Sequence, residues 1–192
     1  MAMRLGVLGG TFDPPHLGHL VLASEAHYAL GLDVVVWIPA GCPPHKRGQR
    51  ITSAELRLAM TRAAIVGDHR FRVDDREIRR PGPSYTVDTL RELRDDNPGA
   101  ELVLLLGRDA AQDLPNWHQP EAILELARVA VVDRAGGDDA AIAFPHERLS
   151  SPRIDISARE IRRRVGVGAP IRYWVPAAVE EIIRRHGLYK ES

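Results

Sequence analysis

The chain has 192 residues, of which 44% are hydrophobic and 27% charged, values typical of a soluble α/β domain. Lysine plus arginine equals aspartate plus glutamate at 26 each, so no basic field predicts a nucleic-acid partner. The single cysteine, Cys42, excludes an internal disulfide and a zinc site built on several thiolates. No leader pattern and no membrane-length apolar run is present, so we expect a cytoplasmic protein without a membrane partner.

The first third of the sequence predicts a strand–helix–strand unit. A short apolar run predicts a buried strand over residues 4–8, and a helix follows over residues 17–30. Gly31 is well placed to end that helix. The β-branched run over residues 34–38 is typical of a buried parallel strand.

Strands and helices continue to alternate along the rest of the chain. Further strands are predicted over residues 71–73, 102–106, 128–132 and 150–154. Further helices are predicted over residues 53–66, 87–94, 120–126, 157–164 and 176–186. We therefore expect one domain over residues 1–192, an α/β fold with a doubly wound, mostly parallel, Rossmann-like sheet. Residues 134–147 form the least determined loop, and we assign no function there.

The turn between the first strand and the first helix carries the strongest functional signal. Gly9 and Gly10 let a ligand approach the backbone closely. The helix start offers N–H groups and a positive dipole end, which suit phosphate. His16 and His19 are three residues apart and share a helix face, where imidazoles can donate to phosphate oxygens. The alternative is an ordinary turn with surface or metal-binding histidines.

The run GGTFDPPHLGH at residues 9–19 resembles the signature of the nucleotidylyltransferase superfamily. Within it, the chain is most similar to the bacterial nicotinate-nucleotide adenylyltransferases, which join nicotinate mononucleotide to the AMP part of ATP. A second run, ISAREIR at residues 156–162, resembles the superfamily's terminal signature, which holds the ATP phosphates. Here Ala158 occupies a place that is often hydroxylated. Gly107-Arg108-Asp109 resembles the Gly-x-Asp element on the adenosine side.

The resemblance implies two sets of substrate-binding residues. The ATP set comprises Gly9, Gly10, Thr11, Phe12, His16, His19, Gly107, Asp109, Ile156, Ser157 and Arg162. The nicotinate mononucleotide set comprises Lys46, Ser84, Tyr85, Thr86, Trp117 and His118. The implied catalytic residues are His16, His19, Lys46 and Arg162, which would balance charge and hold phosphates.

Structural alternatives remain for several of these residues. Lys46 lies in a Pro-rich loop that is either a solvated basic segment or a phosphate clamp. Ser84 or Thr86 could serve only as a helix cap, and so could Asp109. Trp117 either covers the core or stacks on an aromatic ligand.

The implied reaction is direct in-line adenylyl transfer without a covalent intermediate. Its substrates are ATP and nicotinate mononucleotide, and Mg²⁺ would arrive bound to ATP with few or no protein ligands. The alternatives are a pantetheine-phosphate or nicotinamide-mononucleotide adenylyltransferase, or a non-catalytic nucleotide sensor on the same fold. A homo-oligomer is possible, and the sequence does not decide the oligomeric state.

Overall fold

A parallel sheet forms the centre of the computed structural model, which describes residues 2–44, 48, 51–134 and 141–190. Its strands are β1 (Arg4–Gly10), β2 (Val34–Pro39), β3 (Phe71–Val73), β4 (Glu101–Gly107), β5 (Arg128–Arg134) and β6 (Glu147–Ser151). Their order is β3-β2-β1-β4-β5-β6, and every neighbouring pair is parallel. The predicted doubly wound sheet is therefore confirmed.

Helices cover both faces of this sheet. They are α1 (Leu17–Leu30), α2 (Ala54–Ala64), α3 (Arg76–Arg79), α4 (Thr86–Asp96), α5 (Arg108–Asp113), α6 (Pro120–Leu126), α7 (Ala158–Gly166) and α8 (Ala177–Arg185). Alternate strand residues point to opposite faces, so the sheet supports two hydrophobic clusters. One cluster packs α4, α5 and α6 against one face, and the other packs α1 against the opposite face. No helix in the described ranges is both long and apolar enough to cross a membrane.

The strand order reverses between β1 and β4. The chain leaves β1 toward β2 on one side, whereas β4 leads to β5 on the other side. Loops therefore diverge above the carboxyl ends of β1 and β4 and leave a crevice between them. In open α/β sheets this crevice is where ligands bind.

A third hydrophobic cluster attaches the last two helices. It joins Met60 of α2 to the apolar faces of α7 and α8 and to the segment between them. Its other buried members are Ile161, Ile171, Val175, Val179 and Ile183. This cluster places the start of α7 beside the crevice.

Most predicted elements agree with the structure, but the last strand does not. The expected strand over residues 150–154 is wrong, because β6 spans Glu147–Ser151 and pairs with β5 from Ala130 onward. That register buries Leu149 and Ser151, and the strand ends before Pro152, which has no N–H to donate. The first helix and its left-handed Gly31 stop are confirmed.

We expect Ile161→Ala to lower the free energy of unfolding by about 3 kcal/mol, because it leaves a cavity in the third cluster. Ile161 is 0% exposed, whereas Val167, at the end of the same helix, is 63% exposed. Val167→Ala is the matched control and should cost less than about 0.5 kcal/mol. Urea denaturation of both variants measures the difference. Equal losses would show that this cluster does not hold the C-terminal helices.

Candidate functional site

A cleft of about 760 Å³ lies at the carboxyl ends of β1 and β4. Its volume is in the range of small-molecule sites. Most of the predicted site residues line it, namely Gly9, Gly10, Thr11, His16, His19, Ser84, Thr86, Gly107, Asp109, Trp117, His118, Ile156 and Ser157. Lys46 lies outside the described residues, and Phe12, Tyr85 and Arg162 are not among the residues that line the cleft.

Bare backbone forms part of the floor of the cleft. A Cβ placed on Gly9 or Gly107 would meet no atom within 4 Å, so both backbones face open space. Gly10 and Gly18 have a different role. A Cβ on Gly10 would lie 2.9 Å from the Phe12 ring, and one on Gly18 would lie 3.1 Å from the His16 imidazole. The glycines therefore leave room for a ligand at two positions and for site side chains at the other two.

The two histidines form one stacked unit at the start of α1. Their ring centroids are 3.7 Å apart, and His16 is the N-cap residue. The backbone N–H of His16 donates to Nδ1 of His19 at 3.2 Å. A neutral His19 therefore carries its proton on Nε2, which makes that atom a hydrogen-bond donor. This tautomer suits an imidazole that faces phosphate oxygens.

Phe12 packs against His19 and does not line the cleft. It is 2% exposed, and its ring meets His19 edge-on at 5.1 Å. The Phe12 ring also packs against Trp37 at 5.2 Å, and Trp37 meets His19 edge-on at 6.4 Å. Its left-handed φ of 48° turns the chain sharply after the glycines. Phe12 thus fixes the orientation of a predicted catalytic residue through packing.

A buried arginine, Arg57 of α2, holds the loops after β1 and β2 together. Its guanidinium donates to the carbonyl oxygens of Thr11 at 2.9 Å, Ala40 at 2.6 Å and Gly41 at 3.2 Å. It also donates to the Thr52 carbonyl at 2.9 Å. Burial lowers the pKa of Arg57, and the nearby Asp13 carboxylate opposes that shift. Because Arg57 is 1% exposed, these carbonyl oxygens accept the hydrogen bonds that water would accept from an exposed guanidinium.

Asp13 connects the first loop to the C-terminal part of the chain. Its carboxylate accepts from the hydroxyl of Tyr189 at 2.7 Å and from the N–H of Thr52 at 3.3 Å. Burial and the Asp13 charge raise the pKa of Tyr189, so its phenol stays protonated and donating. Arg162 donates to the Asp13 carbonyl oxygen at 2.8 Å. The predicted phosphate-holding arginine therefore contacts the first signature loop directly.

The helix start at Leu17 is also tied to the C-terminal segment. Its N–H donates to the carbonyl oxygen of Trp174 at 3.0 Å, so this first-turn donor is already used. Nearby, Ser157 caps α7, because its hydroxyl accepts from the N–H of Glu160 at 3.2 Å. The predicted cap and helix are confirmed here. Two helix starts, of α1 and α7, thus border one side of the cleft.

The start of α4 borders the opposite side. The expectation that Ser84 or Thr86 caps this helix is wrong, since the N-cap is Tyr85 and no side chain caps the end. The Ser84 hydroxyl instead accepts from the N–H groups of Gly41 at 3.0 Å and Cys42 at 3.1 Å. Thr86 is the first helical residue and lines the cleft. The positive end of the α4 dipole therefore faces the cavity.

Trp117 lies on the same side of the cleft. Its indole N–H donates to the Asp113 carboxylate at 3.1 Å, and its ring is half-buried against the core. The two expected alternatives therefore hold together, because the ring both covers the core and lines the cleft. Next to it, His118 stacks on Tyr85 with ring centroids 4.2 Å apart. Asp113 and Tyr85 thus orient the two aromatic residues of this wall.

Asp109 follows β4 and lines the cleft. The suggestion that it is a helix N-cap is wrong, because Gly107 is the N-cap and Asp109 lies in the first turn of α5. Its neighbour Arg108 is held by Asp133 through two hydrogen bonds of 2.8 and 2.9 Å. Within the described ranges, no group of three or more His, Cys, Asp or Glu side chains could hold a metal ion.

Sequence reasoning missed two buried charged residues, Arg57 and Glu77. Arg57 precedes Met60 by three residues and Ala64 by seven, a spacing that places all three on one helix face. That spacing was a usable signal for a buried arginine. Glu77 lies in the short helix α3, which no periodicity predicts. It is 7% exposed, lines the cleft and accepts from the Thr89 hydroxyl at 2.6 Å.

Comparison with known proteins shows which family this chain resembles. Residues 7–164 match the family model described as cytidylyltransferase-like. A Thermomicrobium roseum protein is 47% identical over 196 residues, covering 97% of this chain and 92% of that protein. A Thermus thermophilus protein is 47% identical, with 98% and 100% covered, and a Roseiflexus protein is 50% identical, with 97% and 98% covered. All three are named probable nicotinate-nucleotide adenylyltransferases.

Solved structures share the fold at low sequence identity. The Plasmodium falciparum nicotinic acid mononucleotide adenylyltransferase complexed with NaAD has a TM-score of 0.83 at 18% identity, with 97% of both chains covered. The same Plasmodium enzyme complexed with APC has a TM-score of 0.80 at 18% identity, again with 97% of both chains covered. At such identities the similarity establishes the fold alone.

We expect Arg57→Lys to lower the free energy of unfolding by about 3 kcal/mol, because one ammonium cannot satisfy carbonyls in four directions. Arg62→Lys is the matched control in the same helix, since the Arg62 side chain is 60% exposed. The control should cost less than about 0.5 kcal/mol. Urea denaturation at neutral pH compares the two variants. A loss at Arg57 no larger than at Arg62 would contradict the role given to the buried guanidinium.

Proposed function

Because this chain belongs to the nicotinate-nucleotide adenylyltransferases, within the cytidylyltransferase-like family, we infer that it joins nicotinate mononucleotide to ATP. The products are deamido-NAD and pyrophosphate, in a step of NAD biosynthesis. One observation carries the inference for this chain. A single cleft brings the His16–His19 pair, the bare backbones of Gly9 and Gly107, and Trp117 around one cavity.

We propose that ATP occupies the side of the cleft between β1, β4 and α7. The backbones at Gly9 and Gly107 give it room, and the starts of α1 and α7 attract its phosphates. The adenine would rest on an apolar wall that includes Val132, Ile154 and Ile156. Asp109 would accept a hydrogen bond from the adenosine side.

The remaining predicted ATP contacts support this placement. Thr11 and Gly10 line the cleft beside the histidines, and Ser157 marks the start of α7. Arg162 would hold phosphate while it keeps the Asp13 carbonyl in place, since a guanidinium has several donors.

We propose that the mononucleotide occupies the opposite side, between α4 and Trp117. The uncapped start of α4 at Thr86 offers N–H groups and a positive dipole end to the nicotinate carboxylate. Trp117 would stack on the pyridine ring, and His118, oriented by Tyr85, would close the wall. Lys46 would bind the phosphate of this substrate, and Ser84 would shape the wall through the amides of Gly41 and Cys42.

The chemistry follows from charge and position. A phosphate oxygen of the mononucleotide attacks the α-phosphorus of ATP, and the bond from that phosphorus to the pyrophosphate oxygen breaks. The attacking oxygen is already an anion, so no general base is needed. Nε2–H of His19, in the tautomer fixed by the His16 N–H, donates to the transferring phosphate, with His16 stacked beside it.

A divalent cation, Mg²⁺, completes the proposal as a partner of ATP. It would neutralise part of the phosphate charge, and ATP oxygens and water would supply most of its ligands. Asp109 and the N–H groups at the starts of α1 and α7 would contact the nucleotide close to the ion. They would hold the nucleotide around the ion.

The test of this function is pyrophosphate release from ATP with each candidate acceptor. We expect rapid release with nicotinate mononucleotide and much slower release with nicotinamide mononucleotide, because donors arranged for an anion pair poorly with a neutral amide. Pantetheine phosphate should give none. Faster release with either of those acceptors would assign the chain to a different adenylyltransferase. Nucleotide binding without any release would indicate a non-catalytic sensor.

We expect Gly9→Ala to raise the KM for ATP at least about tenfold, or ~1.4 kcal/mol, while the melting temperature stays unchanged. Its Cβ would enter open cleft space that the proposed substrate fills. Gly6→Ala, in the same strand, is the matched control, because its Cβ would lie 2.6 Å from Leu32 in the core. That control should lower the melting temperature and leave the KM for ATP alone. A normal KM for ATP in Gly9→Ala would show that the backbone at Gly9 is not part of the ATP site.

A further inference from the structure

The end of the chain turns back onto the loop that follows β1. After α8, Gly187 and Tyr189 take left-handed φ values of 58° and 63°, so the backbone turns at both residues. Tyr189 packs against the third cluster, where its hydroxyl lies 4.0 Å from Sδ of Met60. The same hydroxyl donates to Oδ1 of Asp13 at 2.7 Å, across 176 residues of sequence. The C-terminal turn therefore delivers one hydroxyl to the first loop.

The Asp13 carboxylate depends on that hydroxyl because it is buried. Asp13 is 3% exposed, and its carboxylate accepts from the Tyr189 phenol at 2.7 Å and from the N–H of Thr52 at 3.3 Å. The phenol bond is the shorter of the two, and a hydroxyl bond to an ionised carboxylate at such a distance is a strong one. A buried carboxylate is costly without donors, so loss of the phenol would displace Asp13 or admit water beside it.

Groups on the proposed ATP side of the cleft are attached to the backbone of Asp13. Its carbonyl oxygen accepts from the Arg162 guanidinium at 2.8 Å. Three residues later, His16 is the N-cap of α1 and stacks on His19, which Phe12 contacts edge-on at 5.1 Å. All residues from Phe12 to His16 are buried, so this segment has little room to adjust independently. A displacement of Asp13 would therefore move the arginine and the histidine pair together.

We propose that Tyr189 is a positioning residue for ATP binding and adenylyl transfer. Through Asp13 it holds Arg162 against the loop after β1 and fixes the path of the chain into His16. The inference rests on the proposed function and adds a residue of the C-terminal turn to it. The mononucleotide wall has a separate support, since the Trp117 indole donates to a carboxylate of α5 at 3.1 Å. Removal of the Tyr189 hydroxyl should therefore disturb the ATP side selectively.

The test measures kcat and both KM values in Tyr189→Phe, which keeps the ring and removes only the hydroxyl. We expect the KM for ATP to rise about tenfold and kcat to fall about tenfold, because the phosphate donors lose their alignment. The KM for nicotinate mononucleotide should stay within about twofold of wild type, because its wall is supported independently.

Asp13→Asn tests the same bond from its acceptor side. The amide oxygen still accepts from the phenol, but the bond is no longer charge-assisted, so we expect a smaller rise in the KM for ATP. The double variant, Tyr189→Phe with Asp13→Asn, should be no worse than Tyr189→Phe alone. Both changes act on one connection, and a neutral amide tolerates burial better than a carboxylate does. If Tyr189→Phe does not fold, Asp13→Asn alone decides through the same selectivity for ATP.

Ile183→Val is the matched control for a purely structural effect. Ile183 is 3% exposed in the same third cluster, and its carbonyl oxygen accepts from the N–H of Leu188, next to Tyr189. The variant should lower the melting temperature by loosening the C-terminal helices, without separating the two KM values. Tyr28→Phe removes a hydroxyl from a residue that is 85% exposed, and should change neither the melting temperature nor the KM values.

Three results would overturn the inference. They are unchanged ATP kinetics in Tyr189→Phe, a parallel rise in both KM values, and fully additive losses in the double variant. Wild-type enzyme that releases no pyrophosphate with nicotinate mononucleotide would refute the proposed function itself. Wild-type enzyme that does release it, with Tyr189→Phe kinetically equal to wild type, refutes only the role of Tyr189.

Discussion

The geometry of the cleft depends on one buried cation. Arg57 donates hydrogen bonds to the carbonyl oxygens of Thr11, Ala40 and Gly41, which belong to the loops that follow β1 and β2. A guanidinium removed from water requires these acceptors, so the loops are constrained to converge on it. The Asp13 carboxylate compensates part of its charge and in turn binds Tyr189 near the C-terminus. Arg57 and Asp13 therefore connect the first loop of the chain to Tyr189 near its C-terminal end.

This arrangement explains why the cleft can rely on position and charge. Two anionic substrates repel each other, and an enzyme that joins them must hold both while it offsets their charge. The starts of α1, α4, α5 and α7 border the cavity, with the stacked histidines at the first of them. The side chains of Phe12 and Arg57, which hold the residues around it in place, are almost fully buried behind it. Rigid packing behind the wall keeps the donors aimed at the cavity.

The sequence predicted the elements more readily than the connections between them. The local sequence pattern located α1, with its Gly31 stop, and the buried strands, because apolar runs and a helix-ending glycine are recognisable without the rest of the fold. It misplaced β6, since that edge strand is defined by pairing with β5. The burial of Arg57 was not predicted, because an arginine is ordinarily exposed and its burial here depends on carbonyls from distant loops. The contact of Arg162 with Asp13 spans most of the chain, so no local pattern reveals it.

The central claim is that the protein supplies position and charge but no covalent nucleophile. The stereochemistry of transfer tests it most directly, with ATP made chiral at the α-phosphorus by replacing one oxygen with sulfur. A single in-line attack by the mononucleotide phosphate inverts the configuration at that phosphorus, and inversion in the dinucleotide product is the result that the account predicts. Retention would require two successive displacements through an adenylyl-enzyme intermediate and would contradict it.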